Sequence, residues 1–206
     1  MGGKKLSVIP TFQLGLWNAW VFIILMFLID IGLSSLIIRL YLGKTKSQEI
    51  NKRHGTQPNL SDAEKKIDRI STITLIALII YSIVLPLQLN TAWFYLGFFI
   101  FVIGIFFGFS AMINFALAPM NKPVTNGVYK VSRNPMYFSM FVIFFGASLA
   151  CASWLFLLLT FIWFILLDKG IIAEEKLCLE MYGDPYREYL SRTSRWIGVP
   201  KSTKTN

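Results

Sequence analysis

Two stretches of the 206-residue chain carry side chains that lipid-facing padding has no use for. One holds Gly127, Tyr129, Arg133, Asn134, Pro135 and Tyr137; the other holds Glu174, Glu175, Tyr186, Tyr189 and Arg195. Together they offer turn amides, tyrosine rings, two adjacent carboxylates and guanidinium groups. Such a set can hold a polar cofactor while leaving an apolar flank open to a lipophilic substrate. Taken singly the residues are ordinary. Adjacent glutamates on an amphipathic helix usually form a solvated face, and arginines at a membrane boundary contact lipid phosphates. The combination is what carries meaning, and only if the fold brings both stretches to one place.

The rest of the chain reads as membrane helices. Hydrophobic residues make up 55% and charged residues 15%; a soluble domain carries about 25% charge. Eighteen Phe and six Trp exceed what a small soluble core can hide. The first apolar run extends from Phe12 to Leu42, interrupted by Asp30 and Arg39. Lys4 and Lys5 precede it, and it is too long for a signal-peptide core, so an anchoring helix is expected rather than a cleaved leader. A span from Phe12 to Ile31 would leave Asp30 at the interface; a deeper placement would make it an intramembrane acid, functional by default. Residues 43–60 read as a polar surface loop that includes His54. Ser61 to Glu64 has the pattern of a capping box, so a helix should start there and run to about Leu85, before Pro86. Another runs from Ala92 to about Ala118, with Gly104 and Gly108 spaced to let a second helix approach closely. Pro119 to Pro135 is irregular, with a turn at Asn126-Gly127. Met136–Ala150 and Trp154–Ile172 form a hairpin. Glu174–Tyr182 is a separate amphipathic piece, and a last helix starts with Asp184 at its N-cap and Pro185 behind it.

Orientation follows from the basic residues. Of the 20 Lys and Arg, two precede the first helix, and the other eighteen fall in the 43–69 region, the 119–135 loop, the tail and the helix ends beside them. The bias predicts an all-α polytopic bundle of about five membrane-spanning helices with short cytoplasmic C-terminal helices. The N-terminus would lie outside and the C-terminus in the cytoplasm. The 119–135 loop and the tail then share one membrane face. The net charge of +9 is absorbed by this pattern, with no basic stripe interleaved with exposed aromatics, so nucleic acid is not an expected partner. Cys151 and Cys178 fall near opposite faces and are expected to be unpaired. No CxxC or HExxH spacing occurs, and no metal site is expected.

The two polar stretches resemble a known family. Gly127-Val128-Tyr129-Lys130-Val131-Ser132-Arg133-Asn134-Pro135-Met136-Tyr137 is similar to the G-x-Y-x-x-x-R-[HN]-P-x-Y signature of the isoprenylcysteine carboxyl methyltransferase and phospholipid methyltransferase superfamily. Glu174-Glu175, Tyr182-Gly183-Asp184, Tyr186, Tyr189 and Arg195 follow that family's second motif. The likeness covers roughly residues 119–198, a cofactor-binding region after three helices and a basic loop (residues 1–118) within a single membrane-embedded domain. It implies a small helical-bundle enzyme that uses S-adenosylmethionine without a Rossmann domain and admits a lipid, isoprenoid or other lipophilic acceptor from the side. No strand–GxGxxG–helix pattern occurs. The Arg-Asn-Pro sequence is the bacterial-type variant. Asn134 stands where the eukaryotic carboxyl methyltransferases favour His, and it keeps a donor and an acceptor but does not titrate near neutrality.

Residue by residue, the resemblance implies that Glu174 or Glu175 accepts from the cofactor's ribose or amine. Arg133 and free amides around Asn134 would hold its carboxylate, Pro135 would pin the turn, and Tyr137 would line the adenine or sulfonium region. Gly127, Tyr129, Tyr186 and Tyr189 complete the expected cofactor-binding set. Arg195 and Glu175 are the expected catalytic pair: Arg195 orients a carboxylate acceptor, or Glu175 acts as base toward a thiol or amine. Two other classes remain open on the sequence. Sterol-type membrane reductases share an R-x-x-N-Y-like turn and a tyrosine-rich C-terminus but use NADPH. A small transporter or structural protein would use Asp30 and the helix glycines instead.

Overall fold

The computed structural model describes residues 14–54 and 58–199. Lys4, Lys5, Phe12 and Gly55 lie outside the described residues, as do Lys201 and Lys204. Among the described residues the fold is all helical. A helix begins at α1, Trp20–Met26, passes through a π-helical segment, Phe27–Leu33, and continues as α2, Ser34–His54. Gly43 breaks α2 with φ 78 and ψ 168, a conformation that suits a residue without a Cβ. The expected loop over residues 43–60 is therefore helical as far as His54. No Gly or Pro occurs between Gly43 and Gly55, so the helix resumes once the kink is made.

The capping box is present. Ser61 N–H donates to Glu64 Oε2 at 2.9 Å and Glu64 N–H to Ser61 Oγ at 3.4 Å, opening α3, Asp62–Ile83. At its far end the Asn18 side chain donates to the open Ile83 carbonyl at 2.6 Å. Ala19 N–H then meets Leu85 O and Leu87 N–H meets Trp17 O, both at 2.9 Å, so the chain after α3 is tied to the start of the first helix. Helix α4 is Ala92–Leu117, capped by the Thr91 hydroxyl, and α5 is Pro135–Ala150. Helix α6, Trp154–Tyr182, is one continuous helix of 29 residues rather than a span followed by a separate amphipathic piece. Nothing between Ile172 and Glu174 breaks it, and Gly170 stays helical. Gly183, at φ 60, turns the chain into α7, Asp184–Arg192. Gly183 rather than Asp184 holds the N-cap of α7, and Asp184 is its first helical residue.

Helices α4 and α5 form the tightest pair because glycine faces backbone. A Cβ on Gly97 would sit 2.8 Å from Ala150 Cα, and one on Gly146 would sit 2.7 Å from Gly97 O. Gly104 lies against Ile143 and Ser139 in the same way, so the small-residue spacing is a packing seam. Helix α6 runs antiparallel to α3, with Tyr81 and Phe156 ring centroids 5.7 Å apart at one end and Glu64 and Lys176 paired at 3.5 Å at the other. Leu78, Ile143, Phe144, Phe156 and Trp163 are the buried core. Ile73, Ile80, Phe99, Phe106 and Ile165 are large and exposed, a surface suited to lipid.

Among the described residues three helical stretches are long and apolar enough to cross a membrane: Trp20–Gly43, Ala92–Leu117 and Trp154–Tyr182. Helix α5 is apolar but has only 16 residues, and α3 opens with charged turns. The expected count of five is met by length and hydropathy only in these three. Asp30 lies inside the first span, in its π-helical segment, and only 8% of its surface is exposed. It is a buried acid rather than an interfacial one, because the span runs from Trp20 to Gly43 and places Asp30 near its middle. Its carboxylate occupies the space that the missing side chain of Gly108 leaves open. Neither Cys151 nor Cys178 forms a disulfide.

Candidate functional site

The loop between α4 and α5 is shaped by Gly127. Its φ of 59 is a left-handed conformation, and the Asn114 side chain of α4 fills the space beneath it. Asn114 Oδ1 accepts from Val128 N–H at 2.9 Å and starts the short 3₁₀ turn Gly127–Lys130. That turn buries Tyr129, whose carbonyl accepts from the Tyr189 hydroxyl of α7 at 2.7 Å. Tyr186 packs on Tyr189 with centroids 5.8 Å apart. Burial pushes both phenols up from their ordinary range, so the Tyr189 hydroxyl stays a donor.

The tail after α7 returns along the same loop. Arg133 N–H donates to Ser194 O at 3.0 Å, Asn134 N–H to Arg195 O at 3.3 Å, and Gly198 N–H to Val131 O at 2.9 Å. Pro135 opens α5 directly behind this pairing, where a missing N–H leaves nothing unsatisfied.

The side chains converge on Glu175 of α6. Arg133 reaches Glu175 Oε1 through Nε at 3.1 Å and Nη2 at 3.0 Å. Arg195 reaches the same carboxylate through Nε at 3.3 Å and, on Oε2, through Nη2 at 2.9 Å. Asn134 Nδ2 adds a contact to Oε1 at 3.4 Å. Arg195 also pairs with Asp168 at 3.2 Å, and Trp196 Nε1 donates to the same Asp168 oxygen at 3.0 Å. Hydrogen bonds from Arg195 to Glu175 hold its guanidinium above even the usual arginine range, against the opposing effect of desolvation. One turn of α5 on, the Tyr137 hydroxyl donates to Glu174 Oε1 at 2.6 Å. The two motifs, some forty residues apart, are thus one cluster.

The expected residues divide into two groups. Arg133, Asn134, Glu175 and Arg195 touch one another, and Tyr137 with Glu174 forms a neighbouring pair. Gly127, Tyr129, Tyr186, Tyr189 and Pro135 build the scaffold that positions them. Two expectations need correction. The amides around Asn134 are not free, because the returning tail supplies their carbonyl partners. Arg133 is also committed: besides Glu175 it donates from Nη1 to Leu190 O at 3.0 Å and Thr193 O at 2.8 Å. Its side chain is 12% exposed against 28% for Arg195, so Arg195 is the guanidinium within a ligand's reach. Asp168, Trp196 and Asn114 were missed. Asp168 lies seven residues before Glu175, hence on the same face of a helix, a spacing that marks it in retrospect.

The Tyr189 hydroxyl bridges α7 to the loop, also lying 3.3 Å from Ser132 O. Tyr189→Phe should cost about 1–2 kcal/mol by removing a buried hydrogen bond between α7 and the loop. A lower thermal unfolding midpoint in detergent is the expected reading; an unchanged midpoint would remove this bond from the scaffold.

Comparison with known proteins bears on the same region. A search of curated proteins finds no match to the chain. A family model for phospholipid methyltransferase matches residues 72–185. The matched segment runs from Thr72 of α3 through α4, α5 and α6 into α7, and it contains Arg133, Tyr137, Glu174 and Glu175. With more than half of its length matched, the chain belongs to the phospholipid methyltransferase family.

Proposed function

We propose that the chain is an integral membrane methyltransferase that uses S-adenosylmethionine and methylates a lipid or similarly lipophilic acceptor at the cytoplasmic membrane boundary. The observation that carries this reading is the convergence of Arg133, Asn134 and Arg195 on Glu175, with Tyr137 and Glu174 beside them. The donor set fits the cofactor. Two carboxylates, Asp168 and Glu175, face two guanidiniums, and Glu174 on Tyr137 beside them adds one formal negative charge for a ligand of net charge +1. When bound, the cofactor supplies an electrophilic methyl group on a sulfonium.

In this reading Arg133 is a strut. It locks α6 to the loop and to the end of α7, and Glu175 organises both guanidiniums around it. Arg195 would exchange its part-buried contact with Asp168 for the cofactor's carboxylate. Glu174 would accept from the ribose or the amine, and the Tyr137 ring would line the sulfonium side. Glu175, already accepting from three side chains, is a weak base; Glu174, with Tyr137 as its described hydrogen-bond donor, is the better one if the acceptor is an amine. Placing the acceptor at near-attack distance contributes several kcal/mol, so positioning is most of what these residues do. The membrane arrangement that goes with this has the 119–135 loop and the tail in the cytoplasm.

Isothermal titration of the detergent-solubilised protein tests the cofactor. S-adenosylmethionine and S-adenosylhomocysteine should both bind and NADPH should not. Heat with NADPH alone would replace the methyltransferase by a reductase.

A further inference from the structure

One buried acid takes no part in the site above. Asp30 lies near the middle of the Trp20–Gly43 span, on the π-helical turn Phe27–Leu33, and is 8% exposed. An ionised carboxylate at such depth is costly unless something pairs with it. Its Oδ1 atom is buried and has no hydrogen-bond partner. Among the described residues the ion pairs all lie elsewhere, so no Lys or Arg neutralises this carboxylate. Ser34, fully buried one turn on, spends its hydroxyl on the Asp30 main-chain carbonyl.

The other carboxylate oxygen faces a second acceptor. A Cβ on Gly108 would fall against Asp30 Oδ2 and 2.7 Å from Ser139 Oγ, so both oxygens converge on the hollow over that glycine. Ser139 is 2% exposed and gives its proton to Met136 O at 2.7 Å. Its Oγ therefore turns lone pairs, not a donor, toward the hollow. Three oxygens without a donor thus meet where the first span, α4 and α5 come together. A proton on the acid would serve one of them; a small cation serves all three. Charge and size narrow the ion. One carboxylate balances one positive charge, whereas divalent ions draw on several carboxylates. The hollow is the room that a single absent methyl group leaves, too small for an organic ammonium and better suited to sodium than to potassium.

The geometry points to a sodium-binding site inside the bundle, formed by both Asp30 carboxylate oxygens and Ser139 Oγ, with water completing the shell. The ion braces the first span against the Gly108 face of α4 and against α5. Ser139 turns to α4, whereas Tyr137, two residues earlier, turns to α6. The ion is therefore separate from the Glu175 cluster and rests on no part of the methyltransferase reading.

The test uses the full chain in detergent at constant ionic strength, with choline chloride as the balance. Scintillation proximity with radiolabelled sodium should show a single saturable site. Unlabelled sodium chloride should displace the label, and potassium chloride should do so at least about tenfold less well. Sodium at about ten times its half-saturating concentration should raise the thermal unfolding midpoint by roughly 3–5 °C. Asp30→Asn keeps the shape without the charge and should abolish both effects. Ser139→Ala removes one neutral ligand and should weaken sodium about tenfold in a folded protein, which keeps the test decisive if Asp30→Asn does not fold. Absence of saturable sodium binding in the wild type would overturn the site and leave Asp30 a protonated acid. So would full-strength binding in both variants, or a midpoint that rises as much with potassium as with sodium.

Discussion

Glu175→Ala is expected to lower methyl transfer at least ~100-fold and to abolish measurable S-adenosylmethionine binding, because a displacement of about 1 Å at the reacting groups already costs that much. The variant strands two guanidiniums at once. Arg133 is 12% and Arg195 28% exposed, and both lose their central acceptor. Removing one partner of a fully buried pair costs about 3–5 kcal/mol. Solvent reaching Arg195 reduces that here, so a loss of about 3 kcal/mol is expected. Arg133 keeps its two carbonyl acceptors on the α7 side, so the tail should stay docked and the protein folded. Glu175→Gln, which keeps the shape and one acceptor oxygen, should fall between. Transfer of labelled methyl to extracted lipid, with calorimetry on the same samples, reads both effects. Wild-type turnover in a folded Glu175→Ala protein would detach this cluster from catalysis.

The second large effect is expected far from the charges. Gly97→Ala adds one methyl group where α4 and α5 touch through backbone, 2.8 Å from Ala150 Cα and nearer still to Ala150 N and Gly146 O. Backbone atoms in a helix cannot turn aside as a flexible side chain can, so the helices must separate. Overpacking of this kind costs about 1–3 kcal/mol, here at the upper end, or roughly a 5–10 °C drop in the unfolding midpoint. Gly170→Ala on α6 is the control. It has nothing within 4 Å of the added carbon, and alanine is the better helix former by about 1 kcal/mol. It should be neutral or slightly stabilising. Equal midpoints for the two variants would remove the glycine seam as the reason for the close approach of α4 and α5.

Much was legible from local pattern. Apolar runs marked the helices, Ser61 and Glu64 marked the start of α3, Asn126-Gly127 marked the turn, and Pro135 opened α5. Each of these is decided by atoms within four residues of one another. The motif pair pointed to Arg133 and Glu175 as separate holders of one cofactor; in the fold the two side chains bond each other. Other boundaries failed where a local signal was overridden. Gly43 was read as the end of a helix, yet the residues after it form helices well and the chain resumes. The polar change after Ile172 was read as a break, yet composition alone does not interrupt a hydrogen-bonded helix that rests on α3.

By itself, then, the chain's order of residues determined a helical membrane protein with two polar motifs on one face, because hydrophobicity, capping and turn chemistry act over short range. Only the tertiary structure decided how the polar groups are spent. The returning tail consumed the amides of Arg133 and Asn134, Arg133 became a strut and left Arg195 accessible, and Asp168 and Trp196 were brought in from positions no motif marked. Asp30 went to the bundle interior because Gly108 and the π-helical turn made room for it. Those outcomes depend on which carbonyl or carboxylate arrives from a distant segment, and no local rule contains that.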